Sequence, residues 1–195
     1  MCAPTRAHTW VRPYKKTVLL SLMMHDVAQY RFCPCCGGRL EKRLLKPQEP
    51  LRLVCTACGF VFYVDPKLSV IAVIPMDEGV VMVRRAIEPG YGLWVVPGGF
   101  VDLGEMVEEA VVRETQEETH LTVRPLRLLN IYSYRNHRTV IAAYLTEYVS
   151  GELTAGDETL EARVFGLKEI PWPQIAFSST KEALREYISR YSSER

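Results

Sequence analysis

The chain has 195 residues, 48% of them hydrophobic, and its 24 Lys and Arg nearly balance 23 Asp and Glu to leave a formal net charge of +1. That length accommodates one medium domain and a small one. Near-neutrality removes any global electrostatic argument for a nucleic-acid or membrane-surface partner. No apolar run approaches the roughly 18 to 20 residues of a membrane span, and no internal repeat or low-complexity tract is present.

Residues 1–24 carry Arg6, Arg12, Lys15 and Lys16 with no acid before Asp26, followed by ValLeuLeuSerLeuMetMet. A basic stretch leading into a short apolar one has the outline of a leader peptide. Here the apolar piece is minimal and no small-residue cleavage site follows it. The segment reads as a flexible basic tail or an over-extended start, with Met23 or Met24 as an alternative first residue, and the chain reads as cytoplasmic.

Next come two CxxC pairs, Cys33 with Cys36 and Cys55 with Cys58, separated by 18 residues. That spacing is characteristic of a zinc site. Four thiolates leave a tetrahedral Zn²⁺ with no open position, so the role expected is structural. Disulfides fit poorly with a chain that lacks a convincing export signal, and a redox CxxC has no need of a duplicate. Cys35 sits at a less suitable spacing, and Cys2 reads as a free thiol. A zinc ribbon is therefore assigned to residues 25–66, with its framework running from about Tyr30 to Pro66. Its Arg39, Lys42, Arg43, Lys46 and Arg52 are interrupted by Glu41 and Glu49, without aromatic interleaving, and read as a solvated basic face. Nucleic acid is not expected as a partner; dimerisation or lining of a pocket are the ribbon's other roles.

Beyond Pro66, residues 67–195 form the second domain. SerValIleAlaValIle at 69–74 and ValValMetValArgArg at 80–85 read as short strands around AspGluGly, a hairpin or close pair. LeuTrpValVal at 93–96 leads into ProGlyGly at 97–99, where glycines let the backbone approach a ligand closely. From about Met106 a helix is expected, with Val107, Ala110 and Val111 as its core-facing stripe. Extended at the helical period, that stripe passes through Glu114 and Glu118. Unpaired charges turned inward require a cation, and a hard divalent metal that takes oxygen ligands suits them. Arg113, four residues before Glu117, is placed to pair with it.

Later strands are expected at 126–134, 139–148 and 162–165. A last helix is expected to open with Ser179 and Glu182 in capping-box spacing and to bury Leu184, Tyr187, Ile188 and Tyr191. Strands before and after one central helix, closed by another, imply a sheet covered on both faces.

Gly99, five residues, Glu105, seven residues, Arg113 and Glu114, then Glu117 and Glu118 resembles the Nudix box. Two positions depart from that pattern: Thr115 stands at an aliphatic position, and His120 where a glycine is expected. The resemblance implies an α/β/α sandwich with a mixed sheet. The ribbon joined to the box, GlyLeuTrp at 92–94 and IleAlaPheSerSer at 175–179 look like the zinc-ribbon Nudix hydrolases, including plant chloroplast members acting on ADP-ribose and FAD. NADH pyrophosphatases of this type carry SerGlnProTrpProPhePro after the box, whereas this chain reads AsnIleTyrSerTyrArgAsnHis at 130–137.

What the resemblance implies is metal-dependent cleavage of a nucleoside diphosphate derivative, ADP-ribose or FAD, with release of AMP. NADH or dinucleoside polyphosphates are alternative substrates, and a non-catalytic ligand sensor is the alternative to an enzyme. Glu114, Glu117 and Glu118 would hold Mg²⁺ or Mn²⁺, with Arg113 and Glu105 completing the catalytic set and Glu118 the first choice of general base. A further metal carboxylate is sought at Glu158 or Glu161, and Glu161 is the residue chosen. Gly98, Gly99, Arg84, Arg85, Trp94 and Tyr132 are the substrate-binding candidates, with Tyr63, Tyr134 and Phe177 as other aromatics open to a base. Strand alternation sends Arg84 and Arg85 to opposite faces, so only one can meet the carboxylates or a phosphate. A homodimer is possible, as in many members of the family.

Overall fold

The computed structural model describes residues 30–191, with the side chain of Tyr191 excepted. The expected basic tail at 1–24 lies outside the described residues.

The ribbon is a three-stranded antiparallel sheet of β1 (Leu40–Arg43), β2 (Arg52–Cys55) and β3 (Val61–Phe62). Its core is small: Leu40, Leu53, Cys33 and Cys55, with Tyr30, Phe62 and Val64 packed against them. Tyr30 Oη lies 3.2 Å from a guanidinium nitrogen of Arg138, which ties the ribbon to the larger domain.

Val, Ile and Ala dominate β4 (Lys67–Val73), and both of its faces are covered. Val70 and Ala72 enter one core, Val73 and Ile71 the other. β4 runs parallel to β9 (Thr139–Gly151), which pairs antiparallel with β8 (Leu121–Ser133). A second sheet holds β10 (Thr159–Gly166), β6 (Gly79–Arg85) and β5 (Pro75–Met76), with β7 (Trp94–Val95) also on β6.

The expected hairpin between 69–74 and 80–85 does not form as such. Only Pro75 and Met76 turn back onto β6, while β4 belongs to the other sheet. The chain changes sheets at Ile74, whose carbonyl accepts the Val81 amide at 3.0 Å.

Helix α1 (Val107–Thr119) lays Ala110 and Val111 on Val70, Ala72, Val81 and Ala142. Helix α2 (Ser178–Tyr191) lays Ala183, Leu184 and Tyr187 on the opposite core with Val73, Val80, Met82 and Ala143. Both sheets feed both cores, and the result is the α/β/α sandwich with a mixed sheet. α2 begins at Ser178, so Ser179 lies buried inside its first turn rather than capping it. Glu182 accepts the Tyr134 hydroxyl at 3.1 Å instead.

Candidate active site

Arg113 organises the segment between the glycine loop and α1. Its Nε and Nη2 donate to the two oxygens of Glu105 at 2.7 and 2.9 Å, its Nη1 to Glu114 at 2.8 Å and Glu117 at 3.2 Å, and its Nη2 to the Phe100 carbonyl at 2.9 Å. The expected pair with Glu117 is thus one of several. A bidentate fork is the geometry in which a guanidinium holds a carboxylate best. The Arg113 hydrogen bonds draw the Glu105 carboxyl down to about 2.

The fully buried stripe of α1 is Ala110, Val111, Thr115 and Thr119. It follows the i+4 step from Val111, so Glu114 and Glu118 flank it half-buried instead of continuing it, a correction to the sequence reading. Thr115, the polar residue at the aliphatic position of the box, is wholly enclosed, and its hydroxyl has no hydrogen-bond partner.

The glycine loop lies over these two carboxylates. Gly98 donates its amide to Glu118 Oε2 at 3.0 Å. A Cβ on Gly98 would fall 2.1 Å from the Val70 carbonyl oxygen, so no larger residue fits there, and one on Gly99 would fall 2.3 Å from the Glu114 carboxyl carbon and displace that carboxylate. Burial raises the Glu114 carboxyl above its ordinary value. It pushes Glu118 up to about 7, against the Gly98 hydrogen bond and the charge of Arg85, with Glu114 and Glu158 adding to the rise.

Arg85 and Arg84 separate as alternation requires. Arg85 donates Nε to the Pro89 carbonyl at 2.8 Å, lies over the Phe177 ring at 5.1 Å, and feels the charges of Glu118, Glu158 and Glu88. Arg84 turns to the Gly92 carbonyl at 2.8 Å and faces Glu161 across the β6–β10 ladder, 4.0 Å away. Of the two outer carboxylates, Glu161 faces Arg84, while the charge of Glu158 acts on Glu118 and Arg85. A register shift between Thr159 and Glu161 separates their environments, and no spacing rule in the sequence announces it.

Two aromatic candidates are corrected by burial. Trp94 is 5% exposed and packs edge-on against Phe165 with ring centroids 4.7 Å apart. Tyr132 is 7% exposed and donates its hydroxyl to Glu186 at 3.1 Å. Both are core residues, with no ring face open to a base. Exposed Tyr63 lies on the ribbon beneath Arg52, 5.1 Å from its guanidinium carbon. A cavity of about 820 Å³ lined by Met76, Arg127, Glu147 and Tyr187 holds neither the glycine loop nor any α1 carboxylate, so the carboxylate cluster is the candidate site.

In the ribbon, the sulfurs of Cys33, Cys36, Cys55 and Cys58 all lie within 4.8 Å of one another, with 3.8 Å between Cys33 and Cys58 and 3.5 Å between Cys36 and Cys55. A tetrahedral zinc with Zn–S near 2.3 Å sets sulfurs about 3.8 Å apart. Backbone amides of Cys35, Gly38, Ala57 and Cys58 point at the sulfurs from 3.4 to 3.5 Å. Those from Cys58 and Ala57, against the opposing effect of burial, bring the Cys55 thiol down to about 6. The donor set fits structural zinc. Cys35 stands outside it, exposed.

Two known families match successive parts of the chain. The NUDIX domain family matches residues 65–187, and the Nudix N-terminal zinc-ribbon family matches residues 31–64. The chain is a Nudix hydrolase. It is 33% identical over 157 residues to an ADP-ribose pyrophosphatase of Methanocaldococcus jannaschii, covering 78% of this chain and 86% of that protein. An NAD-capped RNA hydrolase NudC of Haemophilus influenzae is 28% identical over 159 residues, and the match spans 58% of its length. Among solved structures, a NUDIX hydrolase from Nitrosomonas europaea superposes with a TM-score of 0.80 at 30% identity, covering 85% of this chain and 94% of that one.

Nudix enzymes use divalent metals, and the carboxylates of this Nudix hydrolase fit one. Glu114 and Glu118 are half-buried side by side under a glycine loop, and burial raises the pKa of both despite Arg113 beside the one and Arg85 near the other. Arg113 and the Gly98 amide each engage an oxygen of these two groups and fix their orientation. Among the described residues, no second group of three or more His, Cys, Asp or Glu ligand atoms converges as the cysteines do.

Proposed function

We propose that this Nudix hydrolase cleaves the pyrophosphate of a nucleoside diphosphate derivative, ADP-ribose first and FAD second, and releases AMP. The observation that carries this reading is the pair of half-buried carboxylates, Glu114 and Glu118, under a glycine loop in which Gly98 donates its amide to Glu118 and has no room for a side chain. The likeness to the Methanocaldococcus jannaschii ADP-ribose pyrophosphatase supports the substrate class. The NudC relatives favour a second substrate, the pyrophosphate of an NAD-type end, cleaved by the same chemistry.

Glu114, Glu117, Glu118 and Glu158 would hold Mg²⁺ or Mn²⁺, with Glu158 taking the place first given to Glu161. The cation supplies Lewis acidity toward the pyrophosphate oxygens. Gly98 and Gly99 give the phosphates close access, and Arg85, braced on Pro89 and Phe177, supplies a fixed positive charge. Glu118, already oriented by the Gly98 amide, accepts the proton of the attacking water. Water oxygen bonds to one phosphorus, the bond from that phosphorus to the bridging oxygen breaks, and the bridging oxygen leaves with the other phosphate. Arg113 holds Glu105, Glu114 and Glu117 in place without touching the reacting atoms.

The test is AMP release by the full chain from ADP-ribose, FAD, NADH, diadenosine polyphosphates and nucleoside triphosphates, with Mg²⁺ or Mn²⁺ and then with chelator. Metal-dependent AMP from ADP-ribose is expected, and Glu118→Gln should lower it by roughly 100-fold or more with an unchanged circular dichroism spectrum. Silence across the panel from zinc-loaded, folded protein would overturn the enzyme in favour of a ligand sensor.

A further inference from the structure

His120 ends α1 with φ 58° and ψ 14°, a left-handed conformation that glycine enters freely and a side chain seldom does. Its ring is engaged. Nδ1 lies 2.9 Å from the Thr154 hydroxyl and 3.3 Å from the Thr154 carbonyl oxygen, so either tautomer finds a partner on the same residue.

Thr154 belongs to the segment between β9 and β10, which lies flush against the end of α1. The amide of Thr154 donates to the Thr119 carbonyl at 3.1 Å, and that of Gly156 to the Glu118 carbonyl at 3.0 Å. These bonds satisfy helix-end carbonyls that have no partner within the helix. Approach is close enough that a Cβ on Gly156 would fall 1.9 Å from the Glu117 carbonyl oxygen. Two residues on comes Glu158, whose own carbonyl accepts the Ala86 amide at 2.9 Å, next to Arg85. Its carboxylate is among the charges acting on both Glu118 and Arg85.

We infer that His120 is a positioning residue: through Thr154 it latches segment 152–158 to the end of α1 and so holds Glu158 at the carboxylate cluster. This rests on the assignment of Glu158 to the cation site proposed above. Where the box pattern has glycine, this chain keeps the left-handed turn and adds a side-chain tether to the loop that brings in the outer carboxylate. His120 acts through that loop and touches no substrate.

Two readouts on the full-length, zinc-loaded protein test it: hydrogen exchange at the Thr154 and Gly156 amides, and Mn²⁺ affinity by electron paramagnetic resonance. His120→Gly relieves the backbone and removes the tether. It is expected to speed exchange at both amides and to weaken Mn²⁺ binding by about tenfold, the usual effect of losing an outer-shell partner, while α2 exchange is unchanged. Thr154→Val should do the same to a smaller degree, and serves if the glycine variant folds poorly. In a Glu158→Gln background, His120→Gly should cost no further Mn²⁺ affinity. Unchanged exchange would overturn the latch, and faster exchange with unchanged Mn²⁺ affinity would overturn the positioning role. If Glu118→Gln binds Mn²⁺ as the parent does, the cation site itself fails and the proposal with it, a result that no change in loop exchange could produce.

Discussion

Arg113 illustrates how one side chain can hold several others in place. Glu105, Glu114 and Glu117 all converge on its guanidinium, so its removal leaves neighbouring carboxylates to repel one another. Arg113→Ala is expected to lower the thermal midpoint by roughly 5 °C. Arg113→Lys should recover only part of that, because an ammonium cannot fork between the two Glu105 oxygens. A lysine variant as stable as the parent would show that charge alone matters. Protonation tells the two kinds of glutamate apart. Glu105, held at about 2 against an ordinary 4.5, contributes stability that is full above 4.5 and is lost as pH falls toward 2. Glu118, at about 7, has the opposite sign: between 4.5 and 7 the folded chain keeps a proton that the unfolded chain has released, so stability falls as pH rises through that window. Thermal melts without added Mg²⁺ or Mn²⁺ should show this decline, Glu118→Gln should flatten it, and a parent profile flat from 4.5 to 7 would contradict the burial assigned to Glu118.

At the scale of elements, the ribbon's few core residues cannot hold three short strands without help, since so small a core needs a metal to fold. Zinc removal by a strong thiol-reactive chelator should therefore expose residues 31–64 to proteolysis first, and leave the 65–187 domain resistant. Simultaneous loss of both would mean the domain leans on the ribbon for its own stability. The ribbon and α1 are legible in the sequence because their signals are local: two CxxC pairs at zinc spacing, and apolar residues at helical spacing. Pairing is different. β4 joins β9 across some seventy positions of chain, and nothing in the residues 69–74 says so; assuming that adjacent strands pair produces a hairpin that is not there. The candidate site divides in the same way. Glu114, Glu117 and Glu118 can be found by the box pattern, although helical period puts Glu114 and Glu118 in a buried stripe that they only flank, whereas the choice between Glu158 and Glu161 depends on a ladder irregularity, and the burial of Trp94 and Tyr132 depends on which core α2 covers. His120 is visible as a departure from the box pattern, but its tether to Thr154 joins residues 34 apart and appears only in three dimensions.

Across the whole molecule, two cores lie on either side of the sheet layer, and each draws on both sheets and one helix. Leu184 is fully buried where α2 meets β4, β6 and β9 strands. Leu184→Ala should cost about 3 kcal/mol by urea unfolding, with AMP release per folded molecule unchanged, because the carboxylates sit against the other core. A proportionate loss of turnover in the folded fraction would mean the two sides of the sandwich are coupled. The passage at Ile74 adds a constraint on how such a chain can vary in length. One residue separates a strand of the first sheet from a strand of the second, and side chains alternate with period two on either side. An insertion there would invert every inward and outward position on the strand it displaced, and would shift Arg85 on β6 relative to α1. Insertions in the ribbon turn between Arg43 and Arg52 meet no such rule. Homologous chains should therefore differ freely in length at that turn and keep a fixed count of residues between β4 and β5.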